Sequence, residues 1–340
     1  MQTTLKDIAK ELGVSINTVS RGLRDMSDIS QEAKQKILEA AERMGYRKNL
    51  AASMLRTNRS RAIGVLVSDI GNPVYAGIVK GIEAVCKQHR YTIILANSNE
   101  LAEDEKAVLN DMIERGVDGI LLVPMMQNDD AVNQLSRIGI PFATLGRRYK
   151  NLSVNAILND DSFGGRLVGK HLYRLGHRDI LYLSAPKYIS SAEERLTGLR
   201  MGLTAYGGEV RVETIETDAS REGGRDCTED CIRSGLCSTA IFAFSDLMAY
   251  GAFEALRKAG YRIPEDVSLV GYDDIEFSDL LSPGLTTIDM CKFRLGRKAA
   301  EFIISEIERP DTVPPQTQQI LMKPRLIVRG STASPVNTAK

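Results

Sequence analysis

Residues 6–23 (KDIAKELGVSINTVSRGL) contain side chains whose types and spacing suit the reading of DNA. Asn17 and Arg21 are four residues apart, so a helix would place them on one face, one turn from each other. Asparagine can form two hydrogen bonds with adenine, arginine can do the same with guanine, and an exposed Ile16 can contact a thymine methyl group. The spacing predicts contacts with neighbouring base pairs. A small helical bundle with a solvated polar face is the alternative interpretation.

Two short helices and a turn must position these side chains. The first is predicted over residues 5–12 from its apolar spacing, and the second over residues 15–23, with Ser15 as a good N-cap. The turn between them contains Gly13. A third helix is predicted over residues 31–44, with four residues expected in its core: Ala33, Ile37, Leu38 and Ala41. This arrangement is a helix-turn-helix, whose second helix can enter a major groove.

The charge distribution favours an anionic partner for the amino-terminal segment. The whole chain has 44 Lys and Arg and 44 Asp and Glu, hence a formal net charge of +0. Residues 1–61 contain 12 Lys and Arg against 7 Asp and Glu, so this segment is basic and the remainder is acidic. A basic segment of this kind suits nucleic acid, although a solvated charged face would give the same count.

The next segment, residues 46–61 (YRKNLAASMLRTNRSR), combines a short helical candidate at residues 50–55 with flanking arginines. A helix this short is marginal in water. A hinge helix that becomes ordered in a minor groove and wedges Leu55 between base steps would use all of these features. A plain interdomain linker is the alternative.

From Ala62 onward, apolar strand-like runs such as AIGVLVSD, YTIILAN, DGILLVP and DILYLSA alternate with amphipathic helical stretches. This pattern is typical of parallel sheets covered by helices on both faces. The fold class predicted is α/β, with a small helical head. About 270 residues of this texture are expected to form two lobes.

Composition and motifs argue against several function classes. At 43% hydrophobic and 26% charged residues, the chain is typical of soluble proteins, and it has neither a membrane-spanning apolar run nor a signal segment. We therefore expect a cytoplasmic, nucleoid-associated protein without a membrane contact. The turn SDIGNPVY after the first strand contains no dinucleotide-binding or Walker motif, and no G-x-S-x-G or H-E-x-x-H occurs. We expect neither an enzyme nor a cofactor.

The five cysteines are scattered, and none forms a C-x-x-C pair. Reduced, mostly buried thiols are the favoured interpretation. Cys227 and Cys231, four residues apart, could contact a metal, but no histidine or second cysteine pair completes a site.

Several longer stretches, in family order and over essentially the whole chain, resemble the LacI-type (lactose repressor) family of bacterial transcription regulators. The head contributes TLKDIAKELGVSINTVSRGL and ILEAAERMGYRKN. The remainder contributes AASMLRTNRSRAIGVLVSDIGNPVYAGIVKGIEA, GVDGILLVP, HLYRLGHRDI, SDLMAYGAFEAL, VSLVGYDDIEFSDLLSPGLTTI and PRLIVRGST.

The resemblance implies a helix-turn-helix domain at residues 1–46, a hinge helix and linker at 47–61, and a two-lobed core like periplasmic binding proteins at 62–340. The first lobe would take residues 62–160 and 292–325, and the second 161–291 and 326–340. A homodimer on a pseudo-palindromic operator is also implied. The chain ends without a leucine heptad helix, so we expect a dimer rather than a tetramer. Seven residues fall at the family's DNA-contact positions. Ile16, Asn17 and Arg21 would read bases, Ser15, Thr18 and Tyr46 would contact phosphates, and Leu55 would intercalate.

The resemblance further implies a small-molecule effector between the lobes, at the carboxyl ends of parallel strands, where open α/β sheets place ligands. The family's pocket positions fall on six residues: Val74, Tyr75, Arg147, Asn159, Arg195 and Asp273. A repressor whose operator affinity responds to that effector is the function expected. A solute-binding module without a DNA role is the alternative, and the basic head argues against it.

The chain departs from the family pattern at three pocket positions. Asn159-Asp160 replaces a common Asp-Asn, and Val74 and Ala219 stand where aromatic residues are frequent. We therefore expect fewer stacking surfaces. With an acid lost at Asn159 beside Arg147 and Arg195, we expect a more cationic pocket, which favours an anionic effector such as a sugar acid or a sugar phosphate over a neutral sugar.

Overall fold

The computed structural model describes residues 3–47, 54, 59–125, 129–149, 152–205, 207–310, 312 and 316–336. It divides into two compact units, Met1–Ser60 and Arg61–Lys340, and each is described by itself.

The head unit contains three helices, α1 (Leu5–Leu12), α2 (Ile16–Gly22) and α3 (Gln31–Arg43). The Asp7 carboxylate accepts a hydrogen bond from the Thr4 backbone at 2.9 Å, which fixes the start of α1. Gly13 ends α1 in the left-handed region, with φ of 67°, as the tight turn requires. Ser15 and Ser30 cap α2 and α3 through their side chains.

A small apolar core joins the three helices of the head. Its buried residues are Ile8, Ala9, Val19, Ile37, Ala40 and Ala41. The prediction that Leu38 is buried is wrong, because its side chain is 50% exposed. Adjacent helical positions point about 100° apart, so α3 can turn Ile37 inward only by turning Leu38 away from the core.

The core unit alternates strands and helices almost without interruption. In chain order its elements are β1 (Ala62–Val67), α4 (Pro73–Gln88), β2 (Thr92–Asn97), α5 (Ala102–Glu114), β3 (Gly119–Leu122), α6 (Asp129–Ile138), β4 (Phe142–Leu145), β5 (Ala156–Asn159), α7 (Asp161–Leu175), β6 (Asp179–Ser184), α8 (Ser190–Thr204), β7 (Arg211–Glu216), α9 (Arg221–Arg233), β8 (Ala240–Ala243), α10 (Asp246–Lys258), β9 (Ser268–Val270), β10 (Thr287–Asp289), α11 (Lys292–Ile307), β11 (Gln319–Met322) and β12 (Arg325–Ile327).

These strands form two parallel sheets, which define two lobes. The first-lobe sheet has the order β11-β5-β4-β3-β1-β2, and the second-lobe sheet has the order β7-β6-β8-β9. In the first lobe α11 packs against α4, while in the second α7 packs against α8 and α9 against α10. A short antiparallel pair, β10 with β12, lies next to the second sheet, to which it is joined by a bridge between Val270 of β9 and Thr286, and a second bridge joins Asp273 to Asp289. The predicted α/β class with parallel sheets is confirmed.

The chain passes between the lobes at three places: after β5, after β10 and after β11. The central strands β1, β3, β6 and β8 are largely apolar, and each has at most one residue that is not buried. Sheets covered on both faces explain these continuous apolar runs. No helix in the described part of the chain is long and apolar enough to cross a membrane.

Candidate functional site

The first candidate site is the solvent-facing side of α2. Ile16 is 48% exposed, and Asn17 lies beside it on the surface. The Ser15 hydroxyl accepts a hydrogen bond from the Thr18 backbone at 3.0 Å and lies 2.8 Å from the Thr18 hydroxyl. The start of α2 therefore presents an apolar side chain and an amide together, next to two hydroxyls that are ordered by the cap.

Arg21 lies one turn further along α2 and is already held by an acidic partner. Its guanidinium contacts the Asp28 carboxylate at 2.5 Å. This hydrogen bond raises the pKa of Arg21 and lowers the pKa of Asp28. Both side chains remain solvent-accessible, so the ion pair is the kind that a stronger anion can replace.

Tyr46 is half-buried against the apolar core of the head, and burial raises the pKa of its hydroxyl. The predicted intercalating residue Leu55, and most of the predicted hinge helix at residues 50–55, lie outside the residues that the structure describes.

The second candidate site is a cavity of about 290 Å³ between the two lobes of the core unit. It is lined by residues that follow the carboxyl ends of strands in both sheets. Five of the six predicted effector positions line it: Val74, Tyr75, Arg147, Arg195 and Asp273.

Arg195 is the most constrained side chain of this cavity, at 5% exposure. Its Nε donates to the Asp161 carboxylate at 2.8 Å, and its Nη1 donates to the Phe244 carbonyl at 2.5 Å. The guanidinium also lies over the Tyr272 ring, 3.5 Å from its centre, and 4.3 Å from the centre of the Phe244 ring. The surrounding protein thus fixes both the charge and the plane of the guanidinium.

Close contact between α7 and α8 brings Asp161 and Arg195 together. A methyl group added at Gly165 would lie 2.1 Å from the Arg195 carbonyl oxygen, and one at Gly198 would lie 2.0 Å from the Ser162 carbonyl oxygen. Only glycine permits this separation of the two helices. The glycine pair therefore sets the distance across which the ion pair forms.

Arg147 enters the cavity from the first lobe, after β4. Its guanidinium forms a two-pronged contact with the Glu100 carboxylate, at 2.8 Å and 2.6 Å. Glu100 follows β2, so the two side chains meet at one edge of the first sheet. The Tyr75 hydroxyl lies 2.7 Å from the Ser68 hydroxyl, and burial raises the pKa of Tyr75.

Asp273 lies opposite, on the loop after β9, with a positive φ of 115°. Its backbone N–H donates to the Ile288 carbonyl at 2.8 Å. The Lys292 ammonium donates to the Asp273 and Asp274 carbonyls, which holds the loop in place. Burial raises the pKa of Asp273 to about 8, even though Arg195 opposes this shift from 3.8 Å away. Near neutral pH this carboxyl can therefore donate a hydrogen bond as well as accept one.

The predicted position Asn159 does not line this cavity among the residues that the structure describes. It is the last residue of β5 and only 2% exposed. The acid that contacts Arg195 is Asp161, two residues later in the first turn of α7. The expected cationic pocket is therefore wrong, because Arg147 and Arg195 each have their own carboxylate.

Sequence reasoning missed several lining residues that also follow strand ends. Glu100 follows β2, Tyr188 follows β6 and Phe244 follows β8. All three follow predicted apolar strands, and this position could have identified them as cavity-lining residues from the sequence. Tyr75, Tyr188 and Phe244 supply aromatic surfaces to the cavity, whereas Val74 and Ala219 line it with small side chains. No group of three or more His, Cys, Asp or Glu side chains within the described residues could hold a metal ion.

Two family models match the chain. Residues 4–49 match the lacI family of bacterial regulatory proteins, and residues 170–332 match a periplasmic binding protein-like domain. The HTH-type transcriptional repressor PurR of Mannheimia succiniciproducens is 32% identical over 330 residues, which cover 96% of this chain and 98% of that protein. The chain belongs to the lacI family of bacterial regulatory proteins. It is a DNA-binding transcriptional repressor of that family with an effector-binding core.

Other relatives and solved structures agree with this membership. The ribose operon repressor of Halalkalibacterium halodurans is 30% identical, with 99% of each chain covered. A Lac repressor dimer bound to operator and the anti-inducer ONPF superposes with a TM-score of 0.87 at 28% identity, covering 98% of this chain and 100% of that one. A LacI family regulator from Enterococcus faecium with bound ribose gives a TM-score of 0.72 at 31% identity, covering 81% of this chain and 100% of that one. PurR, the ribose operon repressor and the Lac repressor are transcriptional repressors, and the Enterococcus faecium protein is a transcriptional regulator.

Replacing Arg195 by methionine would leave Asp161 buried without its cation. We expect this change to lower the free energy of unfolding of the core by about 3–5 kcal/mol. Arg200→Met is the matched control, because Arg200 lies exposed on the same helix and should cost at most about 0.5 kcal/mol. Urea unfolding followed by circular dichroism measures both. Equal stability of the two variants would show that Arg195 does not hold the second lobe together.

Proposed function

We propose that this protein binds a pseudo-palindromic operator as a homodimer and that a small neutral polyol, held between the core lobes, controls its affinity for that operator. The observation that carries the proposal is the pairing of an exposed polar face on α2 with a ligand-sized cavity lined by both lobes. A protein of this kind acts as a regulator and not as an enzyme, and it works in the cytoplasm, on the nucleoid. We retain the organisation into a head at 1–46, a hinge at 47–61 and a core at 62–340.

Two similar structures support both halves of the proposal. One similar protein is a Lac repressor dimer bound to operator and an anti-inducer, and another is a lacI family regulator with bound ribose. In this chain we assign base contacts to Ile16, Asn17 and Arg21. We assign phosphate contacts to Ser15, Thr18 and Tyr46, and the minor-groove wedge to Leu55.

The pairing of Arg21 with Asp28 adds a step to DNA binding. The guanidinium must exchange the Asp28 carboxylate for the edge of a guanine, whose two acceptors match the same donor fork. Until that exchange, Asp28 restricts where the guanidinium can point. The Asp28 contact must be broken on every DNA sequence, whereas only a guanine in the right position replaces it with two hydrogen bonds. The exchange therefore favours the specific operator site.

A neutral effector follows from the charges around the cavity. The carboxylates of Asp69, Glu100 and Asp218 line it against two guanidinium groups. The Asp273 carboxyl, whose pKa is raised by burial, adds a group that can donate or accept a hydrogen bond. An anionic ligand would have to displace Glu100 or Asp161 from an arginine that each already satisfies. Hydroxyl groups need no such displacement, because each can accept a hydrogen bond from a guanidinium and donate one to a carboxylate.

The size and surface of the cavity limit further which ligands can bind. A volume of about 290 Å³ lies at the low end of small-molecule pockets, which suits one sugar ring rather than two. Tyr75, Tyr188 and Phe244 offer apolar faces, while the charged groups offer directional contacts. A neutral monosaccharide presents both kinds of surface. This reverses the anionic preference that the sequence alone suggested.

Isothermal titration calorimetry with a panel of monosaccharides, sugar acids and sugar phosphates tests the effector class. We expect binding by at least one neutral monosaccharide and weaker or no binding by its acidic counterparts. Glu100→Gln should weaken the neutral ligand about tenfold, since it releases Arg147, whereas Glu103→Gln, on the exposed side of α5, should not. Binding by acidic sugars together with no binding by neutral ones would contradict the assignment.

Replacing Arg21 by alanine tests the DNA-reading face. The change should cost about 1–3 kcal/mol of operator binding and relax the preference at one position of each half-site. Lys36→Ala removes one positive charge from α3 instead, and should leave sequence preference unchanged. Fluorescence anisotropy on a site selected from genomic DNA measures both variants. If the selected site binds the Arg21→Ala variant with unchanged affinity, Arg21 takes no part in the readout.

A further inference from the structure

The carboxylate of Asp246 is buried behind the loop that carries Asp273. Asp246 is the first residue of α10 and is 0% exposed. The two residues before it, Phe244 and Ser245, line the effector cavity, whereas Asp246 is not among the lining residues that the structure describes. The roles assigned so far to the residues of the cavity therefore do not account for this acid.

Asp246 accepts three hydrogen bonds, all from residues that follow β9 in the chain. Its Oδ2 accepts from the Ile275 backbone N–H at 2.9 Å and from the Ser278 hydroxyl at 2.7 Å. Its Oδ1 accepts from the Thr287 hydroxyl at 2.6 Å. Burial raises the pKa of Asp246 to about 6, so the carboxylate, which can accept all three bonds, still predominates at neutral pH.

The segment that Asp246 holds has an unusual backbone. Asp273, Asp274 and Phe277 have positive φ angles of 115°, 52° and 75°. Such an angle is unfavourable for a residue with a side chain and persists only where surrounding contacts hold it. Without those contacts the loop would relax toward other conformations, and the Asp273 carboxyl would leave its place in the cavity.

Other side chains hold this loop at different points. Lys292 donates to the carbonyls of Asp273 and Asp274, and Arg329 contacts the Asp274 carboxylate at 2.7 Å. The Asp246 carboxylate acts further along the chain, since it binds the backbone N–H of Ile275. The loop is therefore held by separate groups at Asp273 and on the carboxyl-terminal side of it.

The chain before Asp273 also makes room for Asp246. A methyl group added at Gly271 would lie 2.1 Å from the Asp246 Oδ1. Oδ1 cannot move away without losing the Thr287 hydroxyl, so glycine is needed at this close approach. The Asp246 backbone N–H donates to the Tyr272 carbonyl at 2.7 Å. Asp246 therefore contacts the chain on both sides of Asp273.

We propose that Asp246 is a positioning residue of the effector site. Its carboxylate fixes the loop that carries Asp273, and it thereby places the Asp273 carboxyl where that group can exchange hydrogen bonds with an effector hydroxyl. Asp246 acts through Asp273 and makes no contact with the effector. The inference rests on the proposed function, because that function places the effector in the cavity that Asp273 lines.

Hydrogen exchange of the ligand-free, full-length protein tests the hold on the loop, with mass spectrometry of peptic peptides as the readout. Asp246→Ala should speed exchange in residues 273–278 at least about tenfold, because it removes the acceptor of the Ile275 N–H. Asp246→Asn should preserve wild-type exchange there. Its amide oxygen can replace Oδ2, and its NH2 group can donate to the Thr287 hydroxyl. Unchanged exchange in Asp246→Ala would overturn the proposal.

Calorimetry tests the effect on the effector site, with D-ribose and D-glucose as the first neutral probes. For a sugar that the wild-type protein binds, Asp246→Ala should raise the Kd at least about tenfold, whereas Asp246→Asn should change it little. Thr228→Ala is the matched control. Thr228 is also buried in the second lobe, but its hydroxyl donates within α9, to the Gly224 carbonyl at 2.7 Å. This variant should lower stability yet leave the sugar Kd and the loop exchange unchanged.

A double-mutant cycle with Asp273→Asn separates positioning from a general loss of stability. Asp273→Asn alone should weaken sugar binding. In that background Asp246→Ala should have little further effect on the Kd, because the group through which Asp246 acts has already been changed. An equal fold-change in both backgrounds would show that Asp246 acts independently of Asp273, which contradicts the proposal.

Two further outcomes are distinguishable. If circular dichroism shows that Asp246→Ala does not fold, Ser278→Ala takes its place, because it removes only one of the three hydrogen bonds. Faster exchange of residues 273–278 in that variant supports the proposal, and wild-type exchange contradicts it. If no neutral monosaccharide binds the wild-type protein, the proposed effector class fails, whereas the exchange data still decide whether Asp246 fixes the loop.

Discussion

The effector-binding core depends on the contacts that the buried guanidinium of Arg195 makes. It joins α8 to α7 through Asp161, to the end of β8 through the Phe244 carbonyl, and to the end of β9 through the Tyr272 ring. A buried cation is costly unless its charge and its hydrogen bonds are satisfied, and here both are. The elements that carry the second-lobe side of the cavity are therefore held by one side chain.

The same principle operates in the first lobe, where Arg147 is satisfied by Glu100. Both arginines are thus oriented before a ligand arrives, with their positive charges already balanced. A site built this way recognises the directions of hydroxyl groups more than net charge. It also loses little side-chain entropy on binding, because the donors are already fixed.

The sequence predicts the class of the fold well, because buried parallel strands must be continuous apolar runs and the helices between them must be amphipathic. It also predicts that polar residues after strand ends meet in one cavity, and five of the six chosen residues do. The ion-pair partners could not be predicted. The stretch LNDDS contains four consecutive polar residues, and only the start of α7 decides that Asp161, and not Asn159, meets Arg195. Glu100 and Arg147 are 47 positions apart, and nothing local couples them.

The most direct test measures operator affinity of the full chain by fluorescence anisotropy while a neutral monosaccharide, known to bind by calorimetry, is added. Saturating sugar should shift the operator Kd about 5–150-fold, in either direction, because ligand and DNA share one coupling free energy. Conversely, the sugar Kd of the operator-bound protein should differ from that of the free protein by the same factor. A sugar that binds the core and leaves operator affinity unchanged would contradict the claim that this cavity controls DNA binding.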